Sequence, residues 1–261
     1  MTSIQPLIPI NKQGWNLEEI AEELLKPAPA PAGNAGSGNV QVSDNPDFWK
    51  VEGVEYRNGI YTVELAKALL DNGNTKTQDQ WIEYSKQVKA RNGFYTGDFQ
   101  LYHSLFTALY KNRDKDSARQ EVEEARKFLR ETFRKKYPLT LTRIAYQPRG
   151  MDKIIHSKGM PDEFSLDVNF VDSDEWVKDA KNPAVYKALL GSDNIHEINN
   201  VYNWINGTDA YLYRLNSKPS SIDERVARFI ADSVRADLDC DWFPRYSDST
   251  LGVRVARSAT M

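Results

Sequence analysis

Residues 225–257 read RVARFIADSVRADLDCDWFPRYSDSTLGVRVAR, and two kinds of side chain alternate along this stretch. A period of two is typical of β-strands that pack one face and leave the other face free. The alternation changes phase at Arg235-Ala236 and again around Pro244-Arg245, so it predicts three short strands joined by turns. The half predicted to pack is mostly small or apolar and comprises Phe229, Ala231, Ser233, Ala236, Leu238, Cys240, Trp242, Ser247, Ser249 and Leu251.

The other half of the alternation predicts a solvent-facing surface. Aspartate is frequent in it, although aspartate is a poor strand former. Carboxylates two residues apart on a strand lie roughly 6.7 Å from each other and repel by roughly 0.6 kcal/mol even in water. The composition of this half therefore indicates selection for something other than stability. Its members are Ile230, Asp232, Val234, Asp237, Asp239, Asp241, Phe243, Tyr246, Asp248 and Thr250.

This stretch, with the closing LGVRVAR at 251–257, resembles the variable region of target proteins of diversity-generating retroelements. Those proteins present a hypervariable face on a C-type lectin fold, which is related to formylglycine-generating enzymes. The resemblance covers residues 225–257 at the level of motif and 138–257 at the level of fold. It implies an α+β, C-type lectin-like domain that ends in the LGVRVAR strand.

In such systems an error-prone reverse transcriptase randomises adenines, chiefly in asparagine codons of the C-terminal coding segment. A codon altered in this way can encode Ile, Asp, Val, Phe, Tyr or Thr, but never Lys, Glu, Gln, Met or Trp. Between Phe229 and Leu251 there is no Lys, Glu, Gln or Met. Every residue of the solvent-facing half is reachable from asparagine, whereas Trp242 is not and falls in the packed half. Codon chemistry thus accounts for the acidic composition.

The resemblance implies a hypervariable ligand-binding protein for display or reception, not an enzyme, with no catalytic residue, metal or cofactor. The solvent-facing half would contact a macromolecule, such as a protein on a cell or particle surface, with Phe243 and Tyr246 as aromatic anchors. Five Asp against Arg235 and Arg245 give a net charge of −3 between Ile230 and Thr250, which predicts a partner with a basic patch. The predicted framework of the site is Trp204, Tyr211, Tyr213, Arg235, Trp242 and Arg245.

Two other activities are open alternatives. An oxidase of the formylglycine-generating type uses a pair of cysteines, whereas this chain has only Cys240. A calcium-dependent lectin that binds sugar is the second, although its usual Glu-Pro-Asn or Gln-Pro-Asp signature is absent and Gln147-Pro148-Arg149 is only a partial match. The Asp-x-Asp-x-Asp run at 237–241 resembles the start of a calcium loop, but Trp242 stands where such a loop needs glycine. The histidines at 103, 156 and 196 show no metal-ligand spacing. An α+β domain of unassigned role is the remaining alternative.

The rest of the chain predicts three regions. Residues 1–45 form a tail, in which 16–26 are a short amphipathic helix for docking or homo-oligomerisation, followed by a Pro/Ala/Gly linker. Residues 46–137 are mainly helical after a hairpin at Asn58-Gly59, and 138–257 form the lectin-like domain with its variable region at 229–257. Helices followed by short strands favour an α+β fold.

The bulk composition excludes some classes of function. The net charge is −3 and the isoelectric point is near 5.8, so the chain lacks the basic face of a nucleic-acid binder. No apolar run is long enough to span a membrane, and the N-terminus lacks a secretion signal. These features predict synthesis in the cytoplasm and leave display on a particle or cell surface open. A single cysteine rules out an intramolecular disulfide.

Overall fold

A computed structural model describes residues 40–258. The predicted helix at 16–26 lies outside the described residues, as does most of the tail. The described residues form an α+β structure, as predicted, with a curled half-barrel sheet. Its strands are β1 (Gln41–Asp44), β2 (Phe48–Tyr56), β3 (Gly59–Ala66), β4 (Leu139–Tyr146), β5 (Asp152–His156), β6 (Phe164–Val168), β7 (Glu175–Trp176), β8 (Ala210–Tyr213), β9 (Asp223–Ala231), β10 (Ala236–Trp242) and β11 (Val253–Arg257). Its helices are α1 (Gln78–Lys89), α2 (Phe99–Asn112), α3 (Arg119–Lys135), α4 (Pro183–Leu190) and α5 (Ile195–Asn206).

The smaller sheet joins distant parts of the chain. Its order is β1-β2-β3-β11, and all neighbours are antiparallel. The predicted hairpin at Asn58-Gly59 is confirmed, because β2 and β3 pair across it. Strand β11, which contains most of LGVRVAR, pairs with β3, so that Val253 lies opposite Leu65.

The larger sheet has the order β6-β5-β4-β9-β10-β8-β7. Its neighbours are antiparallel except β8 and β10, which run parallel. The first two alternating runs are strands, as predicted, since they lie in β9 and β10 and pair in a hairpin. The sheet is therefore mixed and holds the alternating stretch near its centre.

Local capping signals explain where the helices begin and end. Thr77 forms a capping box with Gln80 at the start of α1. Asn182-Pro183 opens α4, and Gly191 ends it in the left-handed conformation at φ 79°. Helix α5 begins at Ile195, and its N-cap Asn194 accepts a hydrogen bond from the amide of Glu197.

Phe229 of β9 lies at the centre of the main core. Its ring is 4.4 Å from Phe99, 4.9 Å from Phe133 and 5.4 Å from Phe106, measured between centroids. These partners belong to α2 and α3, so both helices pack on the face of β9 that carries Phe229. The packed half of the alternation was correctly predicted for Ala231, Ala236, Leu238 and Cys240, which are all buried.

The predicted third strand is absent from this part of the chain, because residues 243–252 form a loop. Pro244 cannot donate to a ladder, and the loop is held by other hydrogen bonds. The Ser249 hydroxyl donates to the carbonyl of Lys136 at 2.8 Å, and Tyr102 donates to the carbonyl of Leu251 at 2.8 Å. Trp81 of α1 donates to the carbonyl of Asp248 at 2.9 Å.

Asp98, the N-cap of α2, joins three elements in the interior. One of its carboxylate oxygens accepts from the amide of Leu101 at 2.8 Å. The other accepts from the Tyr56 hydroxyl at 2.6 Å, from Ser157 at 2.9 Å and from Arg57 at 3.2 Å. Burial, together with the Asp98 charge, raises the pKa of Tyr56 well above its usual value. This carboxylate therefore ties the β2–β3 hairpin and the end of β5 to α2.

No helix among residues 40–258 is both long enough and apolar enough to cross a membrane.

Candidate ligand-binding surface

Two rows of side chains cross the outer part of the larger sheet. Residues that pair across neighbouring strands point to the same side of a sheet. In the first row Trp176, Tyr211, Asp237 and Ile230 follow one another across β7, β8, β10 and β9. In the second row Tyr213, Asp239 and Arg228 are neighbours. We call the following set the β10 face: Trp176, Tyr211, Tyr213, Arg228, Ile230, Asp237, Asp239 and Trp242.

Arg228 holds the second row together. Its guanidinium donates to Asp239 at 2.7 Å and to Asp248 at 2.8 Å. It also lies 3.3 Å from the ring centroid of Trp242, within cation–π range. One arginine thus pairs with two carboxylates that the sequence predicted to be free, and it stacks on an aromatic ring beside them.

Arg235 has the same role in the first row. Its Nε lies 2.9 Å from a carboxylate oxygen of Asp237. Its guanidinium carbon is 4.6 Å from the ring centroid of Tyr211 and 6.0 Å from that of Tyr213. The predicted framework residues Tyr211, Tyr213 and Arg235 are therefore in contact on the β10 face.

A third arginine, Arg225, extends this arrangement to the loop. It donates to the carboxylate of Asp241 at 2.6 Å and binds Asp223 at 2.7 Å. Its guanidinium carbon lies 3.6 Å from the ring centroid of Phe243. The guanidinium carbon of Arg245 also lies near this loop's rings, 4.7 Å from the centroid of Phe243 and 5.2 Å from that of Tyr246. Phe243 and Tyr246, the two aromatic residues of the predicted solvent-facing half, thus each lie beside an arginine.

We call the predicted solvent-facing half, Ile230 to Thr250 as given above, the variable set. Its most exposed parts are two chain reversals. In the β9–β10 turn, Asp232 accepts hydrogen bonds from the amides of Val234 at 2.7 Å and Arg235 at 2.9 Å. Those bonds lower the pKa of Asp232 and leave Val234 at 66% exposure. Tyr246, in the loop after β10, is 42% exposed. These two side chains are the best placed to touch a partner.

The prediction of a solvent-facing side chain is wrong for Thr250 and for Asp239. Thr250 is 0% exposed, and its hydroxyl donates to the carbonyl of Leu139 at 2.7 Å. Asp239 is 6% exposed because Arg228 and its own bond to the amide of Asp241 enclose it. The remaining variable positions, Ile230, Asp237, Asp241, Phe243 and Asp248, are half-buried.

Two framework positions and two further positions of the packed half also differ from the prediction. The register of β10 shifts between Asp239 and Trp242, so Trp242 lies opposite Val226 and joins the same side as Arg228. Trp204 packs among helices, with its ring 5.9 Å from Tyr110 and its carbonyl accepting from Arg126. Ser233 is exposed because it lies in the β9–β10 turn, and Ser247 is exposed because it lies in the loop after β10.

The arginines of β9 change the charge expected for this surface. Adding Arg225 and Arg228 to the window of −3 gives −1 for residues 225–250. Four of the five Asp side chains in that window have an arginine within 3 Å. The predicted preference for a basic partner therefore loses most of its electrostatic basis.

The structure also shows the surroundings of the residues on which the two alternative activities would depend. Cys240 is buried, and burial raises the pKa of its thiol, so it is held as a neutral core side chain. The carboxylates of Asp237, Asp239 and Asp241 each pair with a different arginine. Among residues 40–258 no three His, Cys, Asp or Glu side chains are grouped as metal ligands.

Asp237 predicts a pH dependence of stability. Burial raises the pKa of Asp237 to about 6, with Arg235 opposing this effect and Asp239 adding to it. The folded state therefore binds this proton more tightly than the unfolded state, where the pKa is 3.8. The contribution of Asp237 to the free energy of unfolding is therefore greatest below about pH 4. It falls by about 1–2 kcal/mol as the pH rises to about 6.

Urea denaturation of the wild type and of Asp237→Asn between pH 4 and pH 7 measures this effect. The free energy of unfolding of the wild type should fall relative to that of the variant as the pH rises, because the amide does not titrate. A constant difference over this pH range would show that Asp237 titrates at its ordinary pKa.

Sequence reasoning missed the roles of Arg225 and Arg228, although a signal for them exists. A hairpin that turns at 232–235 places Arg228 opposite Asp239 by counting residues outward from the turn. An arginine opposite an aspartate on neighbouring strands is a stabilising cross-strand pair.

Comparison with protein-family models, with curated proteins and with solved structures finds no match for this chain.

Proposed function

We propose that this chain is a hypervariable ligand-binding protein of the type diversified by retroelements, with a C-type lectin-like fold and no catalytic role. Adenine-directed mutagenesis of the segment coding for residues 229–257 would change the binding surface from copy to copy. The observation that supports the proposal most is that the two faces of β9 and β10 carry different kinds of residue. Apolar residues of these strands, such as Phe229, Leu238 and Cys240, lie on one face and hold the core, while the proposed variable positions lie on the other face or in the adjoining turn and loop.

The proposed contact surface is narrower than the variable set. Val234 and Tyr246 at the chain reversals are its exposed tips, and Tyr213 of the β10 face is also exposed. Aromatic side chains contribute most of the affinity in protein interfaces. The arginines fix the neighbouring rings and carboxylates in place, which lowers the entropic cost of binding.

A macromolecule is the proposed partner, because the tips are spread over a sheet face and two chain reversals. Contact with all of them needs a surface and not a small molecule. A protein displayed on a cell or on a particle fits this requirement. The partner would meet an almost neutral surface, with an aromatic centre and charged pairs around it.

The DNA around the coding region tests the proposal. Sequencing should find a second, non-coding copy of the segment for residues 229–257, with adenines at the variable positions, beside a reverse-transcriptase gene. Sibling proteins should differ mainly at those positions. A locus without such a repeat, with siblings that vary equally in the packed half, would overturn the proposal.

Tolerance to substitution is expected to differ sharply within the variable set. Val234→Asn and Tyr246→Asn should change the free energy of unfolding by less than about 0.5 kcal/mol, because both side chains are exposed. Thr250→Asn should cost about 1–3 kcal/mol, because it breaks a buried hydrogen bond and enlarges a packed side chain. Urea denaturation of the three variants measures the difference, and equal costs at all three positions would contradict it.

A further inference from the structure

Tyr137, which follows α3, has a backbone conformation that tyrosine seldom adopts. Its φ is 47°, in the left-handed region, where Cβ of an L-residue crowds the backbone. After α1, α4 and α5 the chain passes through the same region, and there it places Asn92, Gly191 and Gly207, at φ 57°, 79° and 78°. Glycine and asparagine are the usual residues at such helix ends. The local backbone therefore does not explain a tyrosine after α3.

Burial explains this tyrosine only in part, because Tyr137 is 40% exposed. Its neighbours in the sequence, in contrast, are fixed by hydrogen bonds. The carbonyl of Lys136 accepts from the Ser249 hydroxyl at 2.8 Å, and the carbonyl of Pro138 accepts from the amide of Phe229 at 3.1 Å. These bonds join the chain on either side of Tyr137 to β9 and to the loop after β10. An exposed ring is thus held, on a strained backbone, beside the proposed variable segment.

The ring of Tyr137 lies at the part of the β10 face that contains Arg228. The guanidinium carbon of Arg228 is 6.0 Å from the ring centroid of Tyr137 and 3.3 Å from that of Trp242. The ring of Trp242 is in turn 5.0 Å from that of Tyr246. We call Tyr137, Arg228, Trp242 and Tyr246 the Arg228 patch. Tyr137 and Tyr246 are its most exposed rings, and only Tyr137 of the two lies outside residues 229–257.

The charge of the Arg228 patch is already matched within the chain. Arg228 pairs with Asp239 at 2.7 Å and with Asp248 at 2.8 Å. A partner would therefore gain little from a charge placed here. The exposed rings instead offer apolar area with a hydroxyl at its edge, a combination that is enriched in protein interfaces. The patch fits a protein surface that presents an apolar or aromatic side chain.

We propose that Tyr137 is a fixed anchor of the contact surface and touches the partner whichever residues occupy the variable set. This inference rests on the proposed function, since it assigns a role within the same surface. The codon for Tyr137 lies outside the segment that the retroelement would rewrite, whereas the codon for Tyr246 lies inside it. A constant ring would give each new copy a basal affinity, and the variable residues would add specificity to it.

Selection from a library of the full chain tests this role. The codons for Val234, Phe243 and Tyr246 are replaced by asparagine codons randomised at their adenines. Displayed copies are selected against lysozyme, a basic protein, and against serum albumin, an acidic one. Tyr137→Gly, introduced into each selected copy, should weaken binding at least about five-fold for both proteins. The factor should be the same at low and high salt, because the ring carries no charge. Tyr137→Phe should keep most of the affinity, because the ring remains.

Asn92→Gly is the matched control. Asn92 has the same left-handed backbone after α1, but its carbonyl accepts from Arg254 of β11, away from the Arg228 patch. This variant should change neither binding nor the midpoint of urea unfolding. Tyr137→Gly should not lower that midpoint, because relief of the backbone strain offsets the lost contact with Arg228.

The outcomes separate this inference from the proposed function. Unchanged binding in Tyr137→Gly would overturn the role of Tyr137 and leave the proposed function standing. A clear fall in its unfolding midpoint would also overturn that role, because the ring would then be a structural residue. A library that yields no binder to either protein would overturn the proposed function, and the inference with it.

Discussion

Replacing Arg228 by alanine is expected to lower the free energy of unfolding by about 3–5 kcal/mol. The change would leave Asp239 and Asp248 without their counter-charge, and Asp239 is almost fully buried. It would also remove the cation that stacks on Trp242. Guanidinium chloride denaturation at pH 7 measures the loss, and acidification should recover part of it, because protonated carboxyl groups no longer need the arginine.

Arg245→Ala is the matched control for this experiment. Arg245 belongs to the same surface and also packs on aromatic rings, at 4.7 Å from Phe243, but its side chain is exposed. Its loss should cost no more than about 1 kcal/mol. A triple variant, in which Asp239→Asn and Asp248→Asn accompany Arg228→Ala, should regain stability at pH 7 relative to Arg228→Ala. Equal effects of the two single arginine variants would contradict the assigned role of Arg228.

Replacing Asp98 by alanine is also expected to lower the free energy of unfolding by about 3–5 kcal/mol. The carboxylate is fully buried and accepts from Tyr56, Arg57, Ser157 and the amide of Leu101. Tyr56 and the amide of Leu101 would lose this partner, Arg57 and Ser157 would keep only their contacts with each other and with Asp162, and α2 would lose its N-cap. Thermal unfolding followed by circular dichroism measures the effect as a large fall in the midpoint.

Asp162→Ala controls for the loss of charge near Arg57. Asp162 also pairs with Arg57, at 3.4 Å, but its side chain is 44% exposed. Its removal should cost less than about 1 kcal/mol. If Asp98→Ala were as mild as Asp162→Ala, the network around Asp98 would not be the link that holds α2 to the β2–β3 hairpin.

The predictable parts of the fold are those with local chemical signals. Thr77 caps its helix through residues three positions away, and Gly191 ends α4 through its own backbone conformation. The alternation at 229–242 marks β9 and β10, because one face of each strand packs on helices. Such features depend on few neighbours, so the sequence alone contains them.

The loop at 243–252 shows why alternation alone can mislead. Ser249 and Thr250 look like alternate positions of a strand, but their hydroxyls bond to the carbonyls of Lys136 and Leu139, far away in the sequence. Tertiary hydrogen bonds thus replace the ladder that a strand would need. A pattern with a period of two cannot distinguish a strand, whose backbone groups pair in a ladder, from a loop held by hydrogen bonds to distant residues.

The composition of the candidate surface was predictable only in part. Most strand positions of this surface follow from the alternation, but the rows of the β10 face depend on β8, which runs parallel to β10. Parallel pairing needs a long connection, so its register leaves no local signal. The bulge that moves Trp242 to the side of Arg228 is equally invisible in the sequence.

Pairing of β11 with β3 makes synthesis of residues 229–252 a condition for completing the smaller sheet. The smaller sheet gains its β11 strand only after residues 253–257 have left the ribosome, 188 positions after Leu65, the partner of Val253. A product that stops early or shifts reading frame within 229–250 would leave the edge of β3 open. Such a product would be prone to proteolysis or aggregation. Completion of the smaller sheet thus depends on a correct reading frame through the segment that precedes β11.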